Sequence, residues 1–268
     1  MSVPLFIVDA FTRAPFAGNP AGVCLLQAWR SDSWMQALAA EMNLAETAFV
    51  VPDGSRFGLR WFTPAVEVPL CGHATLASAH VLFDTHRVPE DSMVEFLTAS
   101  GELRARRAGG RIDMDFPSVP VAACDWPPAL VAALGVTPVF VGRTVPPGPR
   151  GEVNYLCELQ DPATVRALSP DFAQLRTLDG GVIVTARGTG PHAIVSRYFA
   201  PGVGIDEDPV TGSAHCALAR YWAPLLGLHH FLAWQASARG GELELTLRGD
   251  RVQLAGHAVT VLSGECQV

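Results

Sequence analysis

The sequence is poor in charged residues and lacks the basic excess that phosphate binding requires. Charged residues make up 17% of the 268 residues, and the formal net charge is −7. A protein whose main partner is nucleic acid needs surplus lysine and arginine to neutralise phosphates. We therefore expect no nucleic acid among its partners.

Long apolar runs are also missing. No stretch reaches the roughly 18 residues that a membrane-spanning helix needs without meeting proline or charge. The opening stretch, MSVPLFIVDAFTR, carries no positive leader and does not resemble a signal peptide. We expect a cytoplasmic protein that makes no membrane contact.

Recognisable cofactor and metal motifs are absent as well. The six cysteines include no C-x-x-C pair, which indicates reduced thiols and not a disulfide framework. There is no P-loop, no G-x-G-x-x-G, no H-E-x-x-H and no zinc-finger spacing. We therefore predict neither a metal nor a cofactor.

What the sequence does contain is a repeated phrase. EVPLCGHATLASA runs from Glu67 to Ala79, and EDPVTGSAHCALA runs from Glu207 to Ala219. The match extends backward to RWFTP at 60–64 and RYFAP at 197–201. Two matching blocks in the same order indicate an internal duplication, with two homologous halves.

Each half combines many short β-like runs with one unusual helix. The helix that follows each repeated phrase is small and apolar nearly all round, which is typical of a buried helix. We predict an α+β fold of two lobes, each a barrel-like, mostly antiparallel sheet wrapped around a central buried helix, with a cleft between the lobes. Predicted helices span residues 31–42, 74–83, 164–168 and 214–222.

The predicted lobe boundaries follow from proline content. The stretch PSVPVAACDWPP, at about 117–128, is proline-rich and is not expected to continue either sheet, so we interpret it as the linker. The N-terminal lobe is then 1–120 and the C-terminal lobe 129–268. The extreme C-terminus is free to pack back on the first lobe.

The repeated phrase predicts an anion site. A buried helix presents unsatisfied N–H groups and a partial positive charge at its start, and glycine lets a ligand approach the backbone. Two such starts facing one cleft would clamp a small carboxylate without arginine. The alternative is two independent, solvent-facing helix caps.

Four motifs together resemble the PhzF family of phenazine-biosynthesis isomerases. They are DAFTRAPFAGNPAGV near the start, NLAETAFV at 43–50, CGHATLASA and DPVTGSAHCALA. The resemblance spans nearly the whole chain. It implies the two-lobed fold shared with diaminopimelate epimerase and proline racemase, cofactor-independent proton transfer and pairwise assembly as a homodimer.

Glu46 is the candidate general acid/base. It is a lone carboxylate in a strand that is apolar on both faces, and burial is expected to raise its pKa towards the neutral range that suits a proton shuttle. A carboxylate that caps the turn after Asn43 is the structural alternative. The resemblance favours the catalytic role.

His73 and Asp208 complete the predicted catalytic set. His73 follows Gly72 at a helix start, which disfavours imidazolium and predicts a neutral ring. Asp208 precedes Pro209, so it is either an active-site carboxylate, as the resemblance implies, or an ordinary helix N-cap. A locally satisfied ring is the alternative for His73.

The remaining candidate residues are predicted to bind substrate. Ser213 matches His73 in the repeat, so the residue after the glycine diverged between the halves; its hydroxyl binds a carboxylate or caps the helix. For Asn19 the alternative is a turn-stabilising amide. The full predicted substrate-binding set is Gly18, Asn19, Gly72, Thr211, Gly212 and Ser213.

The thiols separate this chain from the related racemases. The resemblance implies that those enzymes use one thiol from each lobe, yet here Cys71 has Thr211 as its counterpart. A hydroxyl is too weak an acid to replace a thiol. We interpret Cys71 as a packing residue, and His80 and His215 as structural.

The predicted function is a PhzF-like isomerase that moves a proton within a small carboxylic acid by means of Glu46. Two alternatives stay open. One is an epimerase or racemase of a small amino or hydroxy acid, and the other is a non-catalytic protein that binds a small acid. The expected partner in every case is a small carboxylate-bearing metabolite.

Overall fold

A computed structural model describes residues 2–145 and 153–267. Within these residues the chain forms strands and helices that are numbered in chain order. The strands are β1 Ser2–Ala10, β2 Asn19–Leu25, β3 Glu46–Asp53, β4 Arg56–Phe62, β5 Glu67–Val68, β6 Met93–Thr98, β7 Gly101–Ala108, β8 Arg111–Pro117, β9 Val121–Ala123, β10 Phe140–Thr144, β11 Tyr155–Glu158, β12 Val182–Arg187, β13 His192–Ala200, β14 Ile205–Asp208, β15 His230–Gln235, β16 Gly241–Arg248, β17 Arg251–Gly256 and β18 Ala258–Gln267. The α-helices are α1 Asp32–Met42, α2 Gly72–Asp84, α3 Pro128–Leu134, α4 Pro162–Ala167, α5 Phe172–Leu175 and α6 Gly212–Leu226.

The chain divides into two compact units. The first combines Met1–Asp115 with Ala255–Val268, and the second is Phe116–Leu254. The last strand belongs to the first unit because β18 pairs antiparallel with β1 along almost its whole length, from Ser2↔Gln267 to Ala10↔Ala258.

The sheet of the first unit is mostly antiparallel. Antiparallel pairs join β1 to β18 and β2, β3 to β4, β4 to β5, β6 to β7 and β7 to β8. Parallel pairs join β2 to β3 and β4 to β6. Each parallel pair requires a crossover, and the helices α1 and α2 occur in these two connections.

The second unit shows the same succession of pairings. Antiparallel pairs join β9 to β10, β10 to β11, β12 to β13, β13 to β14 and β15 to β16. Parallel pairs join β11 to β12 and β13 to β15. The crossovers contain α4 and α5 in one case and α6 in the other.

Helix α2 is the core of the first unit. Every residue from 73 to 83 is buried, and the helix contacts strands β1, β2, β3, β7 and β18. Its hydroxyls are satisfied within the helix: Thr75 donates to the carbonyl of Cys71 at 2.5 Å, and Ser78 donates to that of Ala74 at 2.7 Å. Strands can therefore enclose this helix without leaving the hydroxyl groups of Thr75 and Ser78 unpaired.

Helix α6 has the same place in the second unit. Its N-terminal half is buried apart from Ser213, and the helix contacts β9, β13 and β16. Each unit thus has one mostly antiparallel sheet around one buried helix, which confirms the predicted α+β fold class.

The predicted helix at residues 31–42 is confirmed as α1. The Ser31 hydroxyl caps it by accepting from the backbone N–H of Trp34 at 3.3 Å. Asn43 ends it in the left-handed conformation, with its own N–H bonded to the carbonyl of Ala39.

The interpretation of residues 117–128 as a linker outside both sheets was wrong. Residues Val121–Ala123 form β9, which pairs with β10 through Val121↔Thr144 and its neighbours. Proline removes only one backbone donor, so prolines that flank a short strand leave its own ladder intact. The carbonyl of Pro120 accepts a hydrogen bond from Val145 at 2.8 Å.

No helix in the described part of the chain has both the length and the apolar character needed to cross a membrane.

Candidate active site

Glu46 is the first residue of β3, opposite Ala21 of β2 in the parallel pair. Its side chain keeps 13% of its surface exposed, so it is largely buried but still within reach of a small molecule. The backbone N–H of Asn43 closes the preceding turn by bonding to the carbonyl of Ala39. The choice between the catalytic and the turn-capping interpretation of Glu46 stays a prediction.

The imidazole of His73 lies next to this carboxylate. Nε2 of His73 is 3.3 Å from Oε2 of Glu46, and the ring is 5% exposed. Burial lowers the pKa of His73 to about 3 because the charged form loses its hydration. The ring is neutral, as the sequence predicted, but desolvation is the cause and not the helix start alone.

Two side chains lie against the other ring nitrogen of His73. The amide nitrogen of Asn19 is 3.2 Å from Nδ1, and the thiol of Cys71 is 3.5 Å from the same atom. An amide nitrogen can only donate, so Nδ1 accepts and the ring proton sits on Nε2, facing Glu46. The first unit thus brings together Glu46, His73 and Asn19 of the predicted set, with Cys71.

Backbone geometry explains why residue 18 is a glycine. Its φ of +64° lies in the left-handed region, and a β-carbon there would collide with the carbonyl oxygen of Ala10. The glycine is required where the chain turns back from β1 towards β2. Its predicted contact with substrate stays a prediction.

The first N–H groups of α2 donate no hydrogen bond to the side chain of the N-cap residue. Cys71 is the N-cap residue, and its side chain makes no capping hydrogen bond; half-buried Gly72 is the first helical residue. Helix starts of this kind bind anions through the backbone.

In the second unit, Asp208 ends β14 and is buried. Helix α6 begins four residues later at Gly212 with Thr211 as its N-cap, so the N-cap alternative for Asp208 was wrong. The hydroxyl of Thr211 donates to Oδ2 of Asp208 at 2.5 Å. The structure therefore brings these two predicted residues together.

Gln235 holds the turn between β14 and α6 in place through hydrogen bonds to Asp208 and Thr211. It is not among the site residues predicted from the sequence. Its side chain is completely buried. The amide nitrogen donates to the backbone carbonyl of Asp208 at 2.7 Å, and the amide oxygen accepts from the backbone N–H of Thr211 at 2.8 Å. A signal was available, since Gln235 is the polar residue at an inward position of the otherwise apolar alternation in HFLAWQ.

The start of α6 differs from that of α2 in exposure. Gly212 is buried and Ser213 is exposed, whereas His73 at the matching position of α2 is buried. The side chain of the N-cap residue Thr211 makes no capping hydrogen bond to the first N–H groups of α6.

His215 and His80 have structural partners. Nδ1 of His215 lies 2.7 Å from the carbonyl of Thr211, and burial lowers the pKa of this ring to about 4. Nε2 of His80 lies 3.0 Å from Oγ1 of Thr260. These contacts agree with the structural roles expected from the sequence.

A matched ion pair precedes each helix start. Arg60 donates to both carboxylate oxygens of Glu67, at 2.7 and 2.6 Å. Arg197 donates to both oxygens of Glu207, at 2.7 and 2.9 Å. The repeated arginine and glutamate of the sequence thus make the same bidentate contact in each unit.

Comparison with known proteins identifies the family of this chain. Residues 8–264 match the family model PhzC-PhzF, described as phenazine biosynthesis-like protein. An uncharacterized isomerase of Pseudomonas aeruginosa is 50% identical over 270 residues, covering 100% of both chains. An uncharacterized isomerase of Halalkalibacterium halodurans is 47% identical over 268 residues, covering 99% of this chain and 98% of its own.

Solved structures extend the similarity to the fold. A PhzF family protein from Enterococcus faecalis is 40% identical and superimposes with a TM-score of 0.92 over 100% of both chains. A hydroxyproline epimerase from Agrobacterium vitis shares the fold at 11% identity, with a TM-score of 0.68 over 99% of this chain and 91% of its own. The chain therefore belongs to the PhzC-PhzF family of phenazine biosynthesis-like proteins.

Proposed function

We propose that this protein is a cofactor-independent isomerase in which Glu46 moves a proton between two positions of a small carboxylic acid. The observation that carries the proposal is the contact of a neutral, buried imidazole with a carboxylate that is still partly accessible. The isomerase names of the relatives from Pseudomonas aeruginosa and Halalkalibacterium halodurans support the reaction class.

The proton transfer needs only one carboxylate. The ionised Glu46 takes a proton from an activated carbon of the substrate and holds it as the carboxylic acid. It then returns this proton to a second carbon of the same molecule, so the enzyme ends in its starting protonation state. No proton or electron has to be supplied from outside.

His73 lies next to this carboxylate as a neutral ring. Because burial keeps the imidazole uncharged, no adjacent cation lowers the pKa of Glu46, and the carboxylate keeps the basicity that proton abstraction needs.

The substrate carboxylate requires separate binding groups. We assign this role to the backbone N–H groups at the start of α2, where the N-cap residue Cys71 makes no side-chain capping hydrogen bond. The contributions of Asp208, Thr211, Gly212 and Ser213 to substrate binding stay a prediction.

Hydrogen exchange tests the proposal directly. A panel of small carboxylic acids is screened for compounds that raise the melting temperature, and each one found is incubated with the protein in deuterated water. Mass spectrometry should show incorporation of deuterium into a carbon position of the ligand. Glu46→Gln should abolish incorporation while the ligand still raises the melting temperature.

Glu67→Gln is the matched control, because Glu67 is a glutamate of the same unit whose partner is Arg60. It should exchange like the wild type. Undiminished exchange in Glu46→Gln would show that another group is the base. Loss of optical rotation from a single enantiomer would indicate an epimerase, and thermal stabilisation without any exchange would indicate a binding protein.

Assembly as a homodimer in the cytoplasm is part of the same proposal. Sedimentation equilibrium of the full chain should give twice the mass of 28.5 kDa. A monomer would remove this element of the proposal without affecting the role of Glu46.

A further inference from the structure

Three different metal-ligating side chains meet at one point of the first unit. Glu46 begins β3, Cys71 is the N-cap of α2 and His73 is its second residue. One ligand atom from each lies within 4.8 Å of the other two. This set offers oxygen, sulfur and nitrogen donors, the three kinds that zinc accepts in proteins.

The three residues approach one another closely enough to share one ion after side-chain rotation. Zinc bonds of about 2.0–2.3 Å in a tetrahedron place the N and O ligands about 3.3 Å apart and the S and N ligands about 3.6 Å apart. One ligand atom from each residue already lies within 4.8 Å of the other two, so rotation of these side chains, without movement of the backbone, is the change that binding requires.

The charges also balance. A thiolate and a carboxylate together carry two negative charges, which a divalent cation neutralises. The neutral imidazole adds a ligand without adding charge.

Asn19 supplies the support that a metal-bound histidine requires. A ligating imidazole donates its other N–H to an oxygen acceptor. In the metal-free protein the amide nitrogen of Asn19 donates to Nδ1 at 3.2 Å. When a metal binds at Nε2, rotation of this amide by 180° would let its oxygen accept the proton on Nδ1.

We propose that Glu46, Cys71 and His73 form a binding site for Zn²⁺ and for chemically similar soft divalent cations such as Cd²⁺. On binding, the S–H bond of Cys71 breaks, a sulfur–metal bond forms and the proton leaves to solvent. The fourth position of the tetrahedron holds water. Because the ion occupies Glu46 and His73, it excludes the proton transfer proposed above; only this inhibitory consequence depends on the proposed function.

Cadmium binding tests the site without any substrate. Reduced protein, freed of metal by a chelator and then desalted, is titrated with Cd²⁺ while the ultraviolet thiolate-to-cadmium charge-transfer band is recorded alongside calorimetry. We expect one Cd²⁺ per chain with this band. Cys71→Ser should remove the band and weaken binding by more than about 100-fold, since the loss of a supporting residue alone costs 10–100-fold.

Matched variants distinguish cadmium binding at this site from binding at other cysteines, and loss of a ligand from loss of the folded state. Cys124→Ser removes a partly exposed cysteine of the second unit and should leave the titration unchanged. His73→Asn keeps the thiol but removes the nitrogen ligand, so it should weaken binding even if Cys71→Ser is unstable. Mg²⁺ should not compete, because it prefers an all-oxygen shell.

A charge-transfer band that survives in Cys71→Ser, the absence of a saturable band in the wild type, or competition by Mg²⁺ would overturn the proposal. These results do not depend on Glu46 being a base. If cadmium binds but no deuterium exchange is seen, only the proposed isomerisation is rejected. If exchange is seen but cadmium does not bind, only the metal site is rejected.

Discussion

The amide nitrogen of Asn19 lies 3.2 Å from Nδ1 of His73, and this contact places the ring proton on Nε2, 3.3 Å from Glu46. Asn19 is itself completely buried at the start of β2. The tautomer of the histidine is thus set by a residue from a different strand.

Asn19→Ala should release the tautomer of His73. With only the weak thiol donor of Cys71 left at Nδ1, the ring can exchange its proton between the two nitrogens. The ¹⁵N chemical shifts of this imidazole should move towards a mixed-tautomer average, and kcat for an identified substrate should fall about tenfold with little change in KM. NMR of ¹⁵N-histidine-labelled protein measures the first effect.

Gln36→Ala is a suitable control for that experiment. It removes another side-chain amide of the first unit, one that donates to the carbonyl of Thr63 at 2.8 Å. Its imidazole spectrum should match the wild type. An unchanged His73 spectrum in Asn19→Ala would contradict the assigned positioning role.

Gln235→Ala should loosen the turn between β14 and α6. The substitution leaves the carbonyl of Asp208 and the N–H of Thr211 without their buried partner, which costs about 1–3 kcal/mol for each unsatisfied group. We expect a lower urea midpoint and faster amide exchange at 208–213. Gln27→Ala, an exposed glutamine, should change neither quantity; equal effects of the two substitutions would refute the role.

The two matched ion pairs should differ in their contribution to stability. Arg197 and Glu207 have side-chain exposures of 11% and 20%, against 25% and 36% for Arg60 and Glu67. Arg197 also donates to the carbonyl of Leu168 at 2.5 Å. Glu207→Ala should therefore cost about 3 kcal/mol of unfolding free energy and Glu67→Ala about 1 kcal/mol or less.

Chemical denaturation of both variants measures these costs. The double variants with Arg197→Ala and Arg60→Ala complete two thermodynamic cycles and isolate each pairwise coupling. A coupling in the first unit as large as that in the second would show that burial does not control the strength of this contact.

Stability should rise with pH between about pH 4 and 6.5. Burial holds the pKa of His73 at about 3 and that of His215 at about 4, while unfolded histidines titrate near 6.5. In this window the unfolded chain binds more protons than the folded chain, so acid favours unfolding. Each histidine contributes a slope of about 1 kcal/mol per pH unit.

Urea unfolding at several pH values in this window tests whether the unfolding free energy rises with pH and whether His73 is a cause of the rise. His73→Gln should reduce the slope by one histidine's share, whereas His229→Gln, at an exposed position, should not alter it. A slope that is the same in all three proteins would mean that His73 takes up a proton in the folded state.

The sequence by itself determined the α+β class and the two buried helices. Periodicity and composition sufficed because a helix built from small apolar residues, such as 74–83, can be stable only when strands enclose it. The glycine after each repeated Glu-x-Pro also marked where these helices begin, at Gly72 and Gly212. These features depend on residues that are close together in the chain, so they can be predicted from the sequence.

Only the tertiary structure decided which side chains meet. Strand β3 brings Glu46 to His73, and β2 brings Asn19 to the opposite nitrogen of the same ring. Gln235 reaches the turn at Asp208 from a strand that begins more than twenty residues later. Such contacts depend on strand register, which is set by the pairing of the whole sheet and not by the residues that touch.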